Sequence, residues 1–129
     1  MIEIILPIQT KPFNRIFSYT KNYEYRKKLP DNLIKVYLYL SKTGIAGYIT
    51  PKEILTLPVN ELVKLADSEE YGSGVWLKDY YKSRECGVAI SIKERHKFTN
   101  PIQMPFVPQS YVYLDRCPKL KLLLENADY

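Results

Sequence analysis

The chain has 129 residues, 46% of them hydrophobic and 26% charged, with a net charge of +5 and a pI near 9.1. That mass suits one domain with one core of ordinary size, and no stretch approaches the ~20 apolar residues of a membrane-spanning helix. One histidine, and two cysteines that form no Cys-x-x-Cys pair, exclude the familiar zinc spacings.

The first segment, "MIEIILPIQT", has no basic n-region and no small-residue cleavage site, so it reads as a strand rather than a signal peptide. With no export signal the expected location is the cytoplasm, where Cys86 and Cys117 would be reduced thiols. "IEIILPI" is a short apolar run closed by Pro7, the pattern of a buried strand. "KPFNRIFS" sets Phe13, Ile16 and Phe17 at i, i+3 and i+4 behind Pro12, which predicts a short helix with one apolar face. "NYEYRKKLP" returns to extended chain and ends at Pro30. "LIKVYLYLS", rich in β-branched and aromatic residues, predicts a central strand. "TGIAGYITPKEILTL" predicts the next strand, with Gly44 marking a turn and Gly47 a bulge or a close approach.

"VNELVKLA" predicts a helix with Asn60 as N-cap and Leu62, Val63 and Ala66 on its buried face. "SEEYGSG" is expected to be a loop. "VWLKDYYKS" sets Leu77, Tyr80 and Tyr81 at helical spacing. In "CGVAISIKE" Val88, Ile90 and Ile92 alternate with Ala89 and Ser91, as in a strand. His96 lies in the charged run "KERHK" and reads as a surface residue. "FTNPIQMPFVPQS" is extended or loop-like because of its three prolines. "SYVYL" predicts a last strand, and "CPKLKLLLEN" a closing helical turn or two. The order β α β β β α α β β α lacks strict βαβ alternation. It favours an α+β fold with a mixed or antiparallel sheet that could close into a small barrel.

The charge is uneven: +5 over residues 1–42, −2 over 43–85 and +2 over 86–129. A localised positive excess suits a polyanionic partner, although many small basic domains bind none. The densest mixture of types is "YTKNYEYRK", residues 19–27. On a strand, Asn22, Glu24 and Arg26 would share one face, and Tyr23 and Tyr25 the other. One reading places Glu24 and Arg26 in a cleft. There Arg26 would grip a phosphate or carbonyl, Glu24 would accept from a base N–H or take a proton if burial raised its pKa, and Lys21 would neutralise phosphate. The other reading is a charge pair that only orders a strand, with Lys21 solvated. "RKK" at 26–28 is either a phosphate-tracking edge or a charged edge strand that discourages aggregation. Among twelve tyrosines, Tyr37, Tyr39, Tyr80 and Tyr81 read as core or half-buried, while Tyr23, Tyr25 and Tyr111 are the candidates to face a ligand.

Lys21-x-x-Glu24-x-Arg26, placed directly after a short N-terminal helix, resembles the GxKxxExR motif of ASCH domains, which belong to the PUA-like superfamily of small β-barrels. "TKPF" at 10–13 resembles that family's first strand-to-helix junction. "WLKDYYKSRECGVAISI" resembles its helix and following strand, and "PQSYVYL" at 108–114 its "PQSF-x-YL" ending. Tyr19 stands where the family has Gly, which implies a turn built differently there. The resemblance implies an α+β fold over residues 1–129, a PUA-like small mixed β-barrel with short flanking helices. It also implies a cleft with the KxxExR segment as one wall.

The ligand implied is RNA or a modified nucleotide, held by Lys11, Lys21, Glu24, Arg26, Gln109, Ser110 and Tyr111. No metal, cofactor or membrane is implied. Family members reported as ribonucleases leave a second reading, a metal-independent hydrolase using Lys21, Glu24 and Ser110. Ser110 in "PQS" equally suits local turn chemistry. A third reading is a regulatory domain that senses a small ligand. Members that act as amidohydrolases on an acylated cytidine carry a threonine, their proposed nucleophile, at the position of Glu24. A carboxylate is not an equivalent group.

Overall fold

The computed structural model describes residues 1–69 and 74–127. The loop expected at 68–74 lies for the most part outside them. Within the described residues the elements run β1 (Ile2–Pro7), α1 (Thr10–Phe17), β2 (Tyr23–Arg26), β3 (Leu33–Leu40), β4 (Gly44–Pro58), α2 (Val59–Asp67), α3 (Gly74–Tyr80), β5 (Cys86–Ile102), β6 (Val112–Tyr113), a 3₁₀ turn (Leu114–Arg116) and α4 (Pro118–Asn126). This is the α+β order expected from the sequence.

The strands form one six-stranded sheet in the order β2-β5-β4-β3-β1-β6. The β1–β3 pair is parallel, because the chain crosses over through α1 and β2 between them; the other pairs are antiparallel. Register slips at Ile45/Gly47, Thr50/Pro51 and Pro51/Glu53 bend the long β4–β5 ribbon. Each bulge adds twist, and one of them takes up Pro51, which cannot donate to a ladder. The sheet curls in a barrel-like way but is not closed: its edges are β2 and β6.

Both faces of the central strands are covered, which explains their near-continuous apolar sequence. Ile4, Leu6, Val36 and Leu38 point into a core shared with Phe13 and Ile16 of α1 and with Ile49 and Ile90. Ile5, Tyr37 and Tyr39 point the other way, against Leu114 and against Leu120 and Leu124 of α4. A third cluster joins Leu62, Val63 and Ala66 of α2 and Leu77 of α3 to Tyr25, Tyr81 and Ala89.

The predicted face of α2 is the buried one, but Asn60 does not cap it. The residue before the first turn is Pro58, and no side chain caps that end. Strand β5 is also longer than expected. It runs through the charged "KERHK" segment to Ile102, because pairing with β4 continues past the buried part. His96 is exposed on it and stacks on Tyr48 at 5.4 Å. Gly47 must lack a side chain: a Cβ there would lie 2.7 Å from the His96 carbonyl oxygen and 2.9 Å from the Phe17 ring. Gly44 opens β4 at φ +111°, a conformation that side chains disfavour.

Candidate functional site

α1 ends in a turn that sets up everything after it. Tyr19 has φ +64°, so the position where the resemblance expects Gly adopts the left-handed conformation anyway. A non-glycine side chain is held in that conformation at a cost of about 1–2 kcal/mol. Backbone N–H groups of Thr20 and Lys21 both donate to the Arg15 carbonyl, at 3.1 Å each. From the far side Arg95 of β5 clamps the same loop. It donates to the carbonyls of Ile16 (2.6 Å) and Lys21 (3.0 Å) and to Asn22 Oδ1 (3.2 Å). Its guanidinium lies 4.4 Å from the centre of the Tyr19 ring. Glu69 at the end of α2 holds the next stretch, accepting from the Asn22 N–H (2.6 Å) and the Tyr25 hydroxyl (3.0 Å). Burial, then the Glu69 carboxylate, push the Tyr25 hydroxyl pKa well up, so it stays a donor.

Strand alternation then turns Glu24 inward. It is 4% exposed, the only buried charged residue among those described. Arg26 Nη2 donates to Glu24 Oε2 at 2.9 Å and to the Pro7 carbonyl at 2.9 Å. Lys21 Nζ stands 3.5 Å from Glu24 Oε1 and 4.7 Å from the centre of the Tyr25 ring. Burial opposes the charge on Glu24, but Arg26, then Lys21, outweigh it and hold the carboxyl below its ordinary range. Glu24 is therefore a fixed anion at neutral pH, not the raised-pKa base considered from sequence. Arg26 keeps capacity in reserve: its Nε is buried with no hydrogen-bond partner, and Nη1 makes no hydrogen bond among the described residues.

These groups face a cavity of about 730 Å³. Lys11, Arg15, Lys21 and Arg26 supply positive charge, and Glu24 and Glu69 negative. Tyr25, Tyr39, Trp76 and Tyr80 supply aromatic surface, and Val107 and Pro108 close one side. Trp76 is 60% exposed and lies flat on Tyr80, with centroids 5.1 Å apart and planes 10° apart.

A second cavity, of about 370 Å³, adjoins the first. It is lined by Leu6, Pro7, Arg26, Lys27, Lys28, Tyr80, Gln109, Ser110 and Tyr111. Its walls come from the end of one sheet edge, β2, and from the segment just before the other, β6. The unclosed seam of the sheet is thus where the cavity lies. The candidate residues therefore divide in two. Lys11, Lys21 and Glu24 line the first cavity, Gln109, Ser110 and Tyr111 the second, and Arg26 lines both.

Tyr23 lines neither; alternation turns it toward the α2–α3 cluster. Tyr80, read from sequence as half-buried, is so, but it also lies between the two cavities. Tyr39, read from sequence as core or half-buried, is buried and also lines the first cavity; Arg15, Glu69 and Trp76 were not singled out in the sequence. Arg15 carried a usable signal, standing four residues after Lys11 on the same helix face. Glu69 and Trp76 carried none, being more than forty residues from Lys21. Among the described residues no group of three or more His, Cys, Asp or Glu is placed to hold a metal. No described helix is long and apolar enough to cross a membrane.

No protein-family profile and no curated protein matches the chain. Solved structures do. ASCH from Zymomonas mobilis superposes with a TM-score of 0.78 at 21% identity, covering 95% of this chain and 94% of that one. A Tyr-to-Phe mutant of the same protein gives 0.79 at 20% identity over 96% and 98%. A Ser-to-Ala mutant gives 0.79 at 20% over 97% and 96%. At that identity the likeness establishes the fold, and the fold is that of an ASCH domain.

Proposed function

We propose that this ASCH-fold protein binds single-stranded RNA or a nucleoside-like ligand in the first cavity, with catalysis secondary. The observation that carries the reading is the composition of that cavity. Four cations and four aromatic rings surround one buried, ionised carboxylate. Rings stack on bases of any sequence, and cations offset phosphates. The carboxylate accepts from base N–H groups. A volume of about 730 Å³ is of the size that encloses a small ligand. The hydrolase reading loses support from Glu24, because a carboxylate with a lowered pKa is a poor base.

The test is a salt series on short RNA oligomers and free nucleosides. For wild type, affinity for RNA should fall steeply with salt. Lys21→Ala and Arg26→Ala should each flatten that slope by about one unit, measured where circular dichroism shows both variants folded. Glu24→Gln should change base preference and leave the slope in place. Absence of binding to any of these ligands at low salt would remove the proposal. RNA cleavage that disappears in Lys21→Ala while binding persists would put the enzyme reading ahead of it.

A further inference from the structure

The two cavities differ in charge. The first mixes Lys11, Arg15, Lys21 and Arg26 with the carboxylates of Glu24 and Glu69. The second has Arg26, Lys27 and Lys28, the amide of Gln109 and the hydroxyl of Ser110, and no carboxylate. Its volume, about 370 Å³, is half that of its neighbour, and it lacks Trp76. Pro7, Arg26 and Tyr80 line both, so a ligand passing Tyr80 would reach from one into the other.

We propose that the second cavity is a phosphoryl subsite, which makes the preferred ligand a nucleoside carrying a phosphate rather than a free nucleoside. This rests on the reading of the first cavity as the place where the base stacks. Three features point to an anion. The lining donors all lack an opposing carboxylate within the cavity. Arg26, which lines both cavities, commits its Nη2 to Pro7 and Glu24, and its Nη1 makes no hydrogen bond among the described residues. Lys27 Nζ sits 4.9 Å from the centre of the Tyr80 ring, which keeps a cation beside the surface on which a base would stack. Charge-assisted hydrogen bonds from a guanidinium and ammonium groups, backed by a hydroxyl and an amide, are the usual complement of a phosphate. The phosphate could be that of a free nucleotide or of an RNA chain; the chemistry recognised is the same.

The experiment titrates wild type and a Lys27→Ala/Lys28→Ala double variant with the four common ribonucleosides, their 5′-monophosphates and a ribodinucleotide, at low and moderate salt. Lys27 and Lys28 are exposed, so their truncation leaves the core intact. A monophosphate or the dinucleotide should bind wild type about tenfold or more tightly than the matching nucleoside, and that advantage should shrink with salt. In the double variant the advantage should largely vanish while nucleoside affinity is unchanged. Which phosphorylated ligand gains more separates a terminal from an internucleotide phosphate. Equal affinity of nucleoside and phosphorylated forms for wild type would overturn the subsite and leave the stacking cavity standing. So would an advantage that survives in the double variant. Failure of every ligand to bind would overturn both.

Discussion

In β3, Val36, Tyr37, Leu38 and Tyr39 are all buried, with apolar partners on both faces of the sheet. In β2, Glu24 is buried to the same degree, but its partners are Arg26 and Lys21. The two strands belong to one sheet and are held by different physics. β3 is fixed by area removed from water, which is non-directional and tolerant of detail. β2 is an edge strand fixed by specific donors and acceptors. A buried charge set of that kind adds little net stability, because desolvation opposes the attraction. The β3 side of the molecule thus supplies stability. The β2 side spends some of it on a preformed anion between two cations at the mouth of a cavity.

The largest effect that sharpens this contrast is a truncation in the core. Leu38→Ala should lower the unfolding free energy by about 4 kcal/mol in denaturant titration, and ligand affinity of the folded fraction should be unchanged. A loss under about 1 kcal/mol would mean that the central core is less tightly packed than the burial of Leu38 implies.

Next comes Arg26→Ala, which leaves Glu24 buried with Lys21 alone. It should cost about 3 kcal/mol, because taking one partner from a buried charge set is more expensive than losing a surface pair. The sign of its pH dependence follows from the lowered carboxyl. Glu24 binds its proton more weakly folded than unfolded, so its contribution is complete above the ordinary value of 4.5 and is lost as the pH falls through the lowered pKa. Wild type should therefore lose stability in acid by a component that Glu24→Gln lacks. Parallel acid profiles for the two proteins would contradict the assignment.

Arg95→Ala removes a clamp that no apolar contact replaces. Three hydrogen bonds to the loop carrying Lys21 go with it, and stability should fall by about 1–2 kcal/mol. Ligand affinity should fall as well, although Arg95 does not line either cavity. Unaltered affinity would show that the loop holds its shape without the clamp.

The smallest effect is at Tyr19. Tyr19→Gly relieves left-handed strain but adds unfolded-state freedom and loses the Arg95 stack, so stability should change by less than about 1 kcal/mol. Tyr19→Val, which cannot relax into that conformation cheaply, should be the more destabilised of the two. The reverse order would mean that the unfolded-state freedom added by glycine, not left-handed strain, dominates at this position.

Much of the fold was legible because its signals are local. Phe13, Ile16 and Phe17 announce α1, and the β-branched run of "LIKVYLYL" announces β3. Gly47 is required where β4 bulges and meets both Phe17 and β5. What was not legible was cumulative geometry. The extent of β5 depends on how far β4 accompanies it, and the N-terminus of α2 on Pro58 rather than on the Asn60 that the pattern suggested. The site divides along the same line. Glu24 and Arg26 share one face of β2 and Lys21 stands just before that strand, so their meeting could be read. Glu69, Trp76 and Tyr80 reach the cavity through the packing of α2 and α3, which has no sequence signature. The split of the candidates into two cavities comes from the unclosed edge between β2 and β6, a property of the sheet's curvature that no single segment encodes.

Trp76 reports most directly on whether RNA binds in the first cavity, because it is the chain's single tryptophan and lines that cavity. Its fluorescence, followed during titration with a short single-stranded RNA at low salt, reports on that cavity alone. Bases stacking against the indole should quench it saturably, and salt and Lys21→Ala should each weaken the effect. RNA that binds by an independent measure such as anisotropy, yet leaves the Trp76 emission unchanged, would place recognition elsewhere on the molecule and rule out stacking in the first cavity.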